Sequence, residues 1–329
     1  MRHFSYPSAL QALTAVAATA SLASCTNANL TSIAPKAEPQ SSERRQSHTS
    51  FYACPATGAL AYVSDFNNSI INVYAGKFAG QGPCAQLTSQ LLNPSGLYVD
   101  ATTHDLYVAN RHNVRLYHRG QSTPYNTYTD PTSRQTLFDV TLASDDTVIA
   151  SNVNEVSGPE RGSLSTWRSG PHGGRFVGDF PMTNDYEGMY VTAQRNGAIY
   201  YTDLDKSTGR GALWYVSCPS GACGGETQVA GVSFQFPGGM VFDSTGDLLV
   251  TEESGGTADT FELPNPAPAT FQLQGYPMGM AVSKGDHHWF VADSDNNDAA
   301  EYAYPSGALI GTVPGNSPGG YVIGIAVDP

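Results

Sequence analysis

The chain has 329 residues, of which 40% are hydrophobic, 34 are glycine and 21 are proline. Its 16 basic and 29 acidic residues give a net charge of -13 at pH 7, which disfavours binding to nucleic acid or to an anionic lipid surface. The glycines and prolines supply many turns, and no sustained helical period follows residue 50, so the sequence indicates one all-β domain.

The first 24 residues are typical of a signal peptide. Arg2 and His3 precede an apolar stretch at 9–23 that is too short and too rich in Ser and Thr to span a membrane permanently. It ends in Leu-Ala-Ser-Cys at 22–25, which resembles a bacterial lipobox, a motif in which the cysteine carries lipid after cleavage. Cleavage near Ala23 followed by release is the alternative. The sequence therefore predicts an exported protein of the bacterial cell envelope, either a lipoprotein anchored through Cys25 or a secreted protein.

The next segment, residues 25–50, is predicted to be a disordered tether. It is polar, rich in Pro and Ser, and almost without large apolar side chains. Such a segment cannot bury enough apolar surface to fold. The folded domain is accordingly expected at 51–329.

A pattern repeats six times in this domain: a Gly-anchored apolar strand, a turn, and a second strand ending in Asp, Asn or Glu. Two of the copies are PSGLYVDATTHDLYVAN (94–110) and YPMGMAVSKGDHHWFVAD (276–293). The closing residues recur at intervals of 41 to 51 residues and are Asp65, Asn110, Asn152, Asp203, Glu252 and Asp293. Each interval leaves room for two further strands, as in a propeller blade. The sequence predicts a six-bladed β-propeller with four-stranded blades; the alternative, a β-sandwich, requires no such period.

The sixth copy is split between the two ends of the domain. Its first strand, VIGIAVDP (322–329), ends the chain, and its second, LAYVSD (60–65), lies near the start of the domain. Pairing the C-terminal strand with the N-terminal strands of blade 1 would close the ring and leave no loose terminal blade. We therefore expect residues 321–328 to pair beside residues 60–65.

The cysteines also support export. With Cys25 assigned to the lipid, Cys54, Cys84, Cys218 and Cys223 remain, and they allow three pairings. The repeats place the first two in blade 1 and the last two in blade 4, on opposite sides of the ring, beyond the limit of about 7 Å between bridged Cα atoms. The sequence predicts Cys54–Cys84 and Cys218–Cys223 disulfides. No cluster of His or carboxylate residues accompanies either pair, which disfavours a zinc site.

The repeats resemble NHL-repeat propellers and their gluconolactonase and strictosidine synthase-like relatives. The similarity covers about 51–329 and rests on Pro-x-Gly-apolar-x-Val-Asp, followed by apolar-Tyr-Val-Ala-Asn/Asp and an Asn-rich turn. It implies that glycines let the inner strands crowd the propeller axis. These glycines are Gly96, Gly188, Gly239, Gly279 and Gly324.

The resemblance also implies a possible divalent-cation site. Gluconolactonase-like members hold a metal at the channel mouth with Glu, Asn and Asp side chains, several of which directly precede the inner-strand glycine. The corresponding residues here are Ser95, Glu187, Gly238, Met278 and Ile323. Only Glu187 matches, and Ca²⁺ or a similar cation takes about six to eight oxygen ligands. Glu187 is thus the one candidate metal ligand, a structural carboxylate is its alternative role, and no cofactor is expected to be required.

Acidic residues are concentrated at one predicted face. The turns between second and third strands fall on the face where the inner strands begin. Their carboxylates are Asp65, Glu155, Glu160, Asp203, Asp205, Glu252, Glu253, Asp259, Asp293, Asp295 and Asp298, and their basic residues are Arg111, Arg161, Lys206 and Arg210. We expect this face to bind a ligand through Glu187, Asp65, Asp203, Glu252 and Asp293. Ordinary solubilising charge is the alternative.

These features favour a binding function. The sequence contains no Gly-x-Ser-x-Gly elbow, phosphate-binding Gly-rich loop, HExxH motif or EF-hand loop. We expect a monomeric binding module for a small molecule or a basic protein, which touches the membrane only through its lipid anchor. A metal-dependent hydrolase or lactonase of the gluconolactonase type is the alternative, and the missing ligand residues disfavour it.

Overall fold

The structure of this protein is a computed structural model. It describes residues 51–76, 78, 82–131, 136–153, 162–170, 174–182, 187–204, 210–261, 269–314 and 319–328. The chain divides into two units, 1–43 and 44–329, and all described residues belong to the second. The predicted signal peptide, the tether and Cys25 lie outside the described residues.

The described residues form six antiparallel sheets arranged as blades. Blade 1 contains β1 (Phe51–Tyr52), β2 (Leu60–Asp65), β3 (Ile70–Ala75), β4 (Ala85–Leu87) and the last strand, β25 (Val322–Asp328). Blade 2 contains β5 (Pro94–Val99), β6 (Leu106–Asn110), β7 (Asn113–Tyr117) and β8 (Asn126–Thr129). Blade 3 contains β9 (Thr136–Leu142), β10 (Thr147–Val153), β11 (Ser163–Arg168) and β12 (Arg175–Pro181).

The remaining three blades follow the same plan. Blade 4 contains β13 (Glu187–Ala193), β14 (Ala198–Leu204), β15 (Leu213–Ser217) and β16 (Gly224–Gln228). Blade 5 contains β17 (Pro237–Phe242), β18 (Leu248–Glu252), β19 (Thr257–Phe261) and β20 (Ala269–Gln272). Blade 6 contains β21 (Pro277–Val282), β22 (His288–Asp293), β23 (Asp298–Ala303) and β24 (Ala308–Pro314). Within this described part of the chain, no helix has the length and apolar character needed to cross a membrane.

The inner strands close a ring. Each of them contacts the next, in the order β25, β5, β9, β13, β17, β21 and back to β25. The last strand pairs with β2, with Asp328 opposite Leu60 and Val322 opposite Asp65. Both the six-bladed propeller and its predicted closure are therefore confirmed. Blade 1 also has a feature that the repeats did not predict, since the two-residue strand β1 pairs with β4 at its outer edge.

The apolar core lies between neighbouring blades. One cluster joins Leu60 and Val73 of blade 1 to Leu97 and Val108 of blade 2, and similar clusters join blades 2 and 3, 3 and 4, and 5 and 6. Because neighbouring blades cover both faces of a sheet, the second strands β2 and β10 are buried along their whole length. This explains why each of these strands contains a short apolar run, LAYV in β2 and VIA in β10, and does not alternate apolar with polar residues.

Every inner strand carries a β-bulge at the same level. In β5, Pro94 and Leu97 pair with Asn110 and Val108, so three steps along the inner strand match two along its neighbour. The other five inner strands show the same shift. We call the second residue of each bulge the axial position. The six axial positions are Gly96, Asp139, Tyr190, Gly239, Gly279 and Gly324.

Glycine is needed at four of these axial positions because the strands crowd together. A Cβ on Gly239 would lie 2.6 Å from the Cα of Gly279, and one on Gly279 would lie 2.6 Å from the carbonyl oxygen of Ile323. The inferred crowding is therefore confirmed for these glycines. Gly188 is different, since it pairs with Asp203 two residues before the axial position of its strand.

Hydroxyl groups link neighbouring blades at the bulges. The Ser64 hydroxyl accepts a hydrogen bond from the amide of Gly324 at 2.8 Å and donates one to the carbonyl of Ser95 in blade 2 at 2.7 Å. The Ser151 hydroxyl bonds in the same way to the amide of Asp139 and the carbonyl of Met189 in blade 4. These hydroxyls satisfy backbone groups that the bulge removes from the ladder.

Candidate functional site

The closing carboxylates of three blades bind backbone amides. We call the face at which the inner strands begin the top face, and the opposite one the bottom face. At the top face, Asp65, Glu252 and Asp293 each accept a hydrogen bond from the residue that leads into the inner strand of the same blade. The donors are the amides of Tyr321 at 3.2 Å, Phe236 at 2.6 Å and Tyr276 at 2.9 Å, respectively. These carboxylates thus fix the route by which the chain reaches the axis.

The Asp203 carboxylate is bound within its own blade. It accepts hydrogen bonds from the amide of Ala212 and from the indole Nε1 of Trp214, both at 2.7 Å. Asp65 and Asp293 also hold their following turns, with Asn68 and Asn296 donating to them. The structure thus gives all four predicted carboxylates a structural role, and a ligand contact by any of them stays a prediction.

Glu187 is the first residue of β13 and pairs with Leu204, and its side chain lies outside the described residues. The bulge register corrects the alignment that singled it out, because Met189, not Glu187, is level with Ser95. Among the residues that the structure describes, no group of three or more His, Cys, Asp or Glu side chains could hold a metal ion. A cation bound by Glu187 stays a prediction.

Both predicted disulfides are confirmed. Cys54 is bonded to Cys84 in blade 1, and Cys218 is bonded to Cys223 in the turn between β15 and β16. The first closes a sequence separation of 30 residues and the second one of 5. Such bonds persist in oxidising compartments, so they are consistent with an exported protein.

Four residues from four successive blades converge on the axis near the top face. They are Tyr190 of blade 4, Glu253 of blade 5, Tyr276 of blade 6 and Tyr321 of blade 1, and we call them the axial cluster. Glu253 is 1% exposed. The hydroxyls of Tyr276 and Tyr190 lie close enough to its carboxylate to lower its pKa. Neither hydroxyl meets the usual distance and angle limits for a hydrogen bond to the Glu253 oxygens.

Burial dominates the electrostatics of this cluster. It raises the pKa of the Glu253 carboxyl well above its ordinary value, and the neighbouring Glu252 raises it further. Burial likewise raises the pKa of Tyr321 to about 12, with Glu253 adding to the effect. Outside the cluster, at the start of β23 in blade 6, burial together with Asp293 raises the pKa of Asp298 to about 6. A cation placed at the axial cluster would favour the ionised forms of Glu253 and Tyr321.

Below the bulges the axis widens into a cavity of about 150 Å³ that all six inner strands line. We call it the axial cavity. Its wall exposes polar and apolar surface in similar amounts, and its rim at the bottom face includes the half-buried residues Val241, Val282 and Val327. Asp139 and Tyr190 lie at its floor because they occupy axial positions where other blades have glycine.

Asp139 is the acidic residue of this wall. It is 8% exposed, and its Oδ2 accepts a hydrogen bond from the amide of Val191 at 3.0 Å. Burial raises the pKa of its carboxyl to about 7, although hydrogen bonds from the amides of Val191 and Val140 oppose the shift. A carboxyl group with a pKa near neutrality is a recurrent feature of functional sites.

The sequence patterns did not single out Asp139, and they placed Glu253 among eleven acidic residues. The signal for Asp139 was its position, since LFDV in the third repeat puts an acid at the level where other repeats have glycine. Recognising it requires the bulge register. The signal for Glu253 was weaker, since nothing in the pair Glu252-Glu253 shows which carboxylate turns toward the axis.

Comparison with known proteins gives the fold. No protein-family model matches the sequence, and no curated protein matches it. A chain of the nidogen/laminin complex is 14% identical with a TM-score of 0.64, and the match covers 83% of this chain and 99% of that one. A protein of unknown function from Bacteroides caccae is 8% identical with a TM-score of 0.61, over 82% and 99% of the two chains. These likenesses show a six-bladed β-propeller.

A luciferin-regenerating enzyme is also similar, with 12% identity, a TM-score of 0.54 and coverage of 70% of this chain and 78% of its own. At such low identities these likenesses show the propeller architecture alone. The resemblance to NHL-repeat and gluconolactonase propellers is therefore not confirmed beyond the six-bladed fold.

Proposed function

We propose that this protein is an exported binding module whose propeller holds a small cationic molecule or a basic segment of a protein at the top face. The observation that carries the proposal is Glu253, a buried carboxyl group at the point where four blades meet, whose described neighbours are the hydroxyls of Tyr276 and Tyr190 and the carboxyl of Glu252, with no basic side chain among them. A buried polar group of this kind is costly unless a partner satisfies it. A ligand ammonium or guanidinium group would be such a partner.

The neighbouring groups support a cationic ligand. The carboxyls of Glu252 and Glu253 both have pKa values raised by burial, and in each case another carboxylate adds to the shift. The region therefore has a negative potential that a cation would relieve. The aromatic rings of Tyr276 and Tyr321 at the same mouth offer faces suited to a cationic group.

Export is supported by the two disulfides and by the signal-peptide pattern of residues 1–24. Lipid anchoring through Cys25 forms part of this proposal and rests on the lipobox resemblance alone. The metal-dependent hydrolase alternative gains no support from the described residues, because they contain no cluster of metal-ligating side chains.

Titration calorimetry with tetralysine tests the binding proposal. Burial raises the pKa of Glu253, and a bound cation should lower it. Binding should therefore release protons over the pH range in which this carboxyl titrates, and the observed enthalpy there should change with the ionisation enthalpy of the buffer. Binding should also weaken between about 0.01 M and about 0.15 M salt, since the Debye length falls from about 30 Å to about 8 Å.

The decisive variant is Glu253→Gln, which keeps the size of the side chain and removes its charge. It should weaken tetralysine binding about tenfold, or about 1.4 kcal/mol, and should abolish the buffer dependence. Asp146→Asn is the matched control, because Asp146 is an exposed acid on the bottom face. Equal binding by the parent and Glu253→Gln, or a larger loss in Asp146→Asn, would place any cation binding elsewhere.

A further inference from the structure

The axial cavity lies below the axial cluster, shares Tyr190 with it and has a different chemistry. It opens toward the bottom face, and its floor carries the Asp139 carboxyl group beside Tyr190. We propose that it binds a short aliphatic ammonium ion, with the Asp139 carboxylate holding the ammonium group and the apolar strand residues holding the carbon chain. This site does not depend on the function proposed for the top face.

The shape of the cavity fits a short chain. Its volume is about 150 Å³, and since a water molecule needs roughly 10–15 Å³ by this measure, the space corresponds to about ten water positions. An amine with four or five carbon atoms has a comparable number of non-hydrogen atoms or fewer. Leu97, Val140, Met240, Met280 and Ile325 are among the residues of the wall, and Leu97, Val140 and Met280 also pack in the interblade clusters. Contact with their apolar atoms would remove the chain from water.

The charge of the cavity selects a cation. The residues that line it include Asp139 and no Lys, Arg or His, so the wall supplies no basic side chain to neutralise the carboxylate. The amide of Val191 binds one carboxylate oxygen, and the other lies beside Gly96, where it fills the space that a Cβ would take. An ammonium group would offset the cost of ionising this buried carboxyl.

Other ligand classes fit this wall less well. A calcium ion takes about six to eight oxygen ligands, and Asp139 is the one carboxylate among the lining residues. An anion would face the carboxylate at close range. A neutral alcohol could fill the same volume, but it would gain no ion pair with Asp139, so charge is the property that an experiment must vary.

The experiment compares n-butylammonium chloride with 1-butanol and butyrate at constant ionic strength. Thermal shift and titration calorimetry should show saturable binding of butylammonium, with 1-butanol and butyrate each weaker by about tenfold or more. Comparable binding of 1-butanol would show that the cavity selects carbon chains without regard to charge, and this result would overturn the proposal. Absence of saturable butylammonium binding would overturn it as well.

Three variants locate the site. Asp139→Asn keeps an acceptor for the Val191 amide and should reduce butylammonium affinity about tenfold or more. Ala281→Leu narrows the cavity while leaving Asp139 in place, so it should abolish binding. It tests the site independently of Asp139→Asn, whose folding the substitution of a buried carboxyl could impair. Asp146→Asn is the matched control, because it makes the same substitution at an exposed residue outside the cavity lining, and its affinity should stay within about twofold. Unchanged affinity in both Asp139→Asn and Ala281→Leu would place the ligand elsewhere.

Discussion

At the axial position of the bulge, four blades have glycine, blade 3 has Asp139 and blade 4 has Tyr190. Gly96 leaves room for a side chain of the next blade, since the Asp139 carboxylate occupies the space beside it. A six-fold repeated position thereby becomes asymmetric. The axis acquires an ionisable group at a level where a fully repetitive sequence would place none.

The raised pKa of Asp139 predicts a pH dependence of stability. Its folded-state pKa is about 7, against an ordinary value of 3.8, so between about pH 4 and about pH 7 the folded protein binds the proton more tightly than the unfolded chain does. The resulting stabilisation is complete below about pH 4 and is lost as pH rises through about 7. Asparagine does not titrate, so Asp139→Asn should become more stable relative to the parent over this window.

Urea unfolding at about pH 5 and about pH 8 measures this difference. Each pKa unit corresponds to about 1.4 kcal/mol, and about two units lie between pH 5 and the folded pKa of about 7, so we expect a relative gain of at most about 3 kcal/mol for Asp139→Asn at the higher pH. The shifts of Glu253 and Asp298 have the same sign, but they are present in both proteins and cancel in the comparison. Parallel pH profiles for the two proteins would contradict the raised pKa.

At the scale of elements, one blade is joined to the next by the bulge of the inner strand together with the hydroxyl group that faces it from the second strand. Ser64 and Ser151 occupy the same position in their second strands, and Thr251 of blade 5 donates to the carbonyl of Met278 in blade 6 at 2.8 Å. Blade 2 has Ala109 at this position. There the Ser95 hydroxyl reaches the carbonyl of Leu137 in blade 3 at 3.2 Å and makes the link instead.

Removing one of these hydroxyls should therefore destabilise the propeller. Ser151 is fully buried, and Ser151→Ala would leave the Asp139 amide and the Met189 carbonyl without this partner. The expected loss in the free energy of unfolding is about 1–3 kcal/mol, measured by urea denaturation. Ser144→Ala, at an exposed position of the same blade, should change it by less than about 0.5 kcal/mol. Equal losses in the two variants would show that the interblade bonds contribute little.

For the whole molecule, stability depends on the joint between the chain ends. The last strand ends at Asp328, whose carboxylate is fully buried and binds the guanidinium of Arg119 and the Nδ1 of His104, the latter at 2.5 Å. Both partners belong to blade 2. The ion pairs thus attach the C-terminal strand to the next blade, in addition to its pairing with β2.

Asp328→Asn should open this joint. Breaking a buried ion pair costs about 3–5 kcal/mol, and since asparagine keeps one acceptor we expect a loss near the lower end of that range. Hydrogen exchange should accelerate in β25 and β2 before it does in blade 4, on the far side of the ring. Asp146→Asn is again the exposed control, expected within about 0.5 kcal/mol of the parent. Uniform acceleration in all blades would contradict a local joint.

The sequence by itself determined the repeat, the blade count, the closure and both disulfides. Strand periodicity and the spacing of residues such as Asp65 and Asn110 are local properties, and the ring follows from them because a split repeat can be completed only by pairing the chain ends. The disulfides followed from the same assignment of residues to blades, since cysteines on opposite sides of a ring cannot be bridged.

Only the tertiary structure decided which polar residues face the axis. The repeat glycine marks the axial position in four blades, but Gly188 lies two residues before it, so a pattern read along the sequence put Glu187 level with Ser95, whereas pairing puts Met189 there. The pKa values of Asp139 and Glu253 depend on burial by other blades. No spacing within one repeat contains that information, because the groups that bury and surround these carboxyls come from distant parts of the chain.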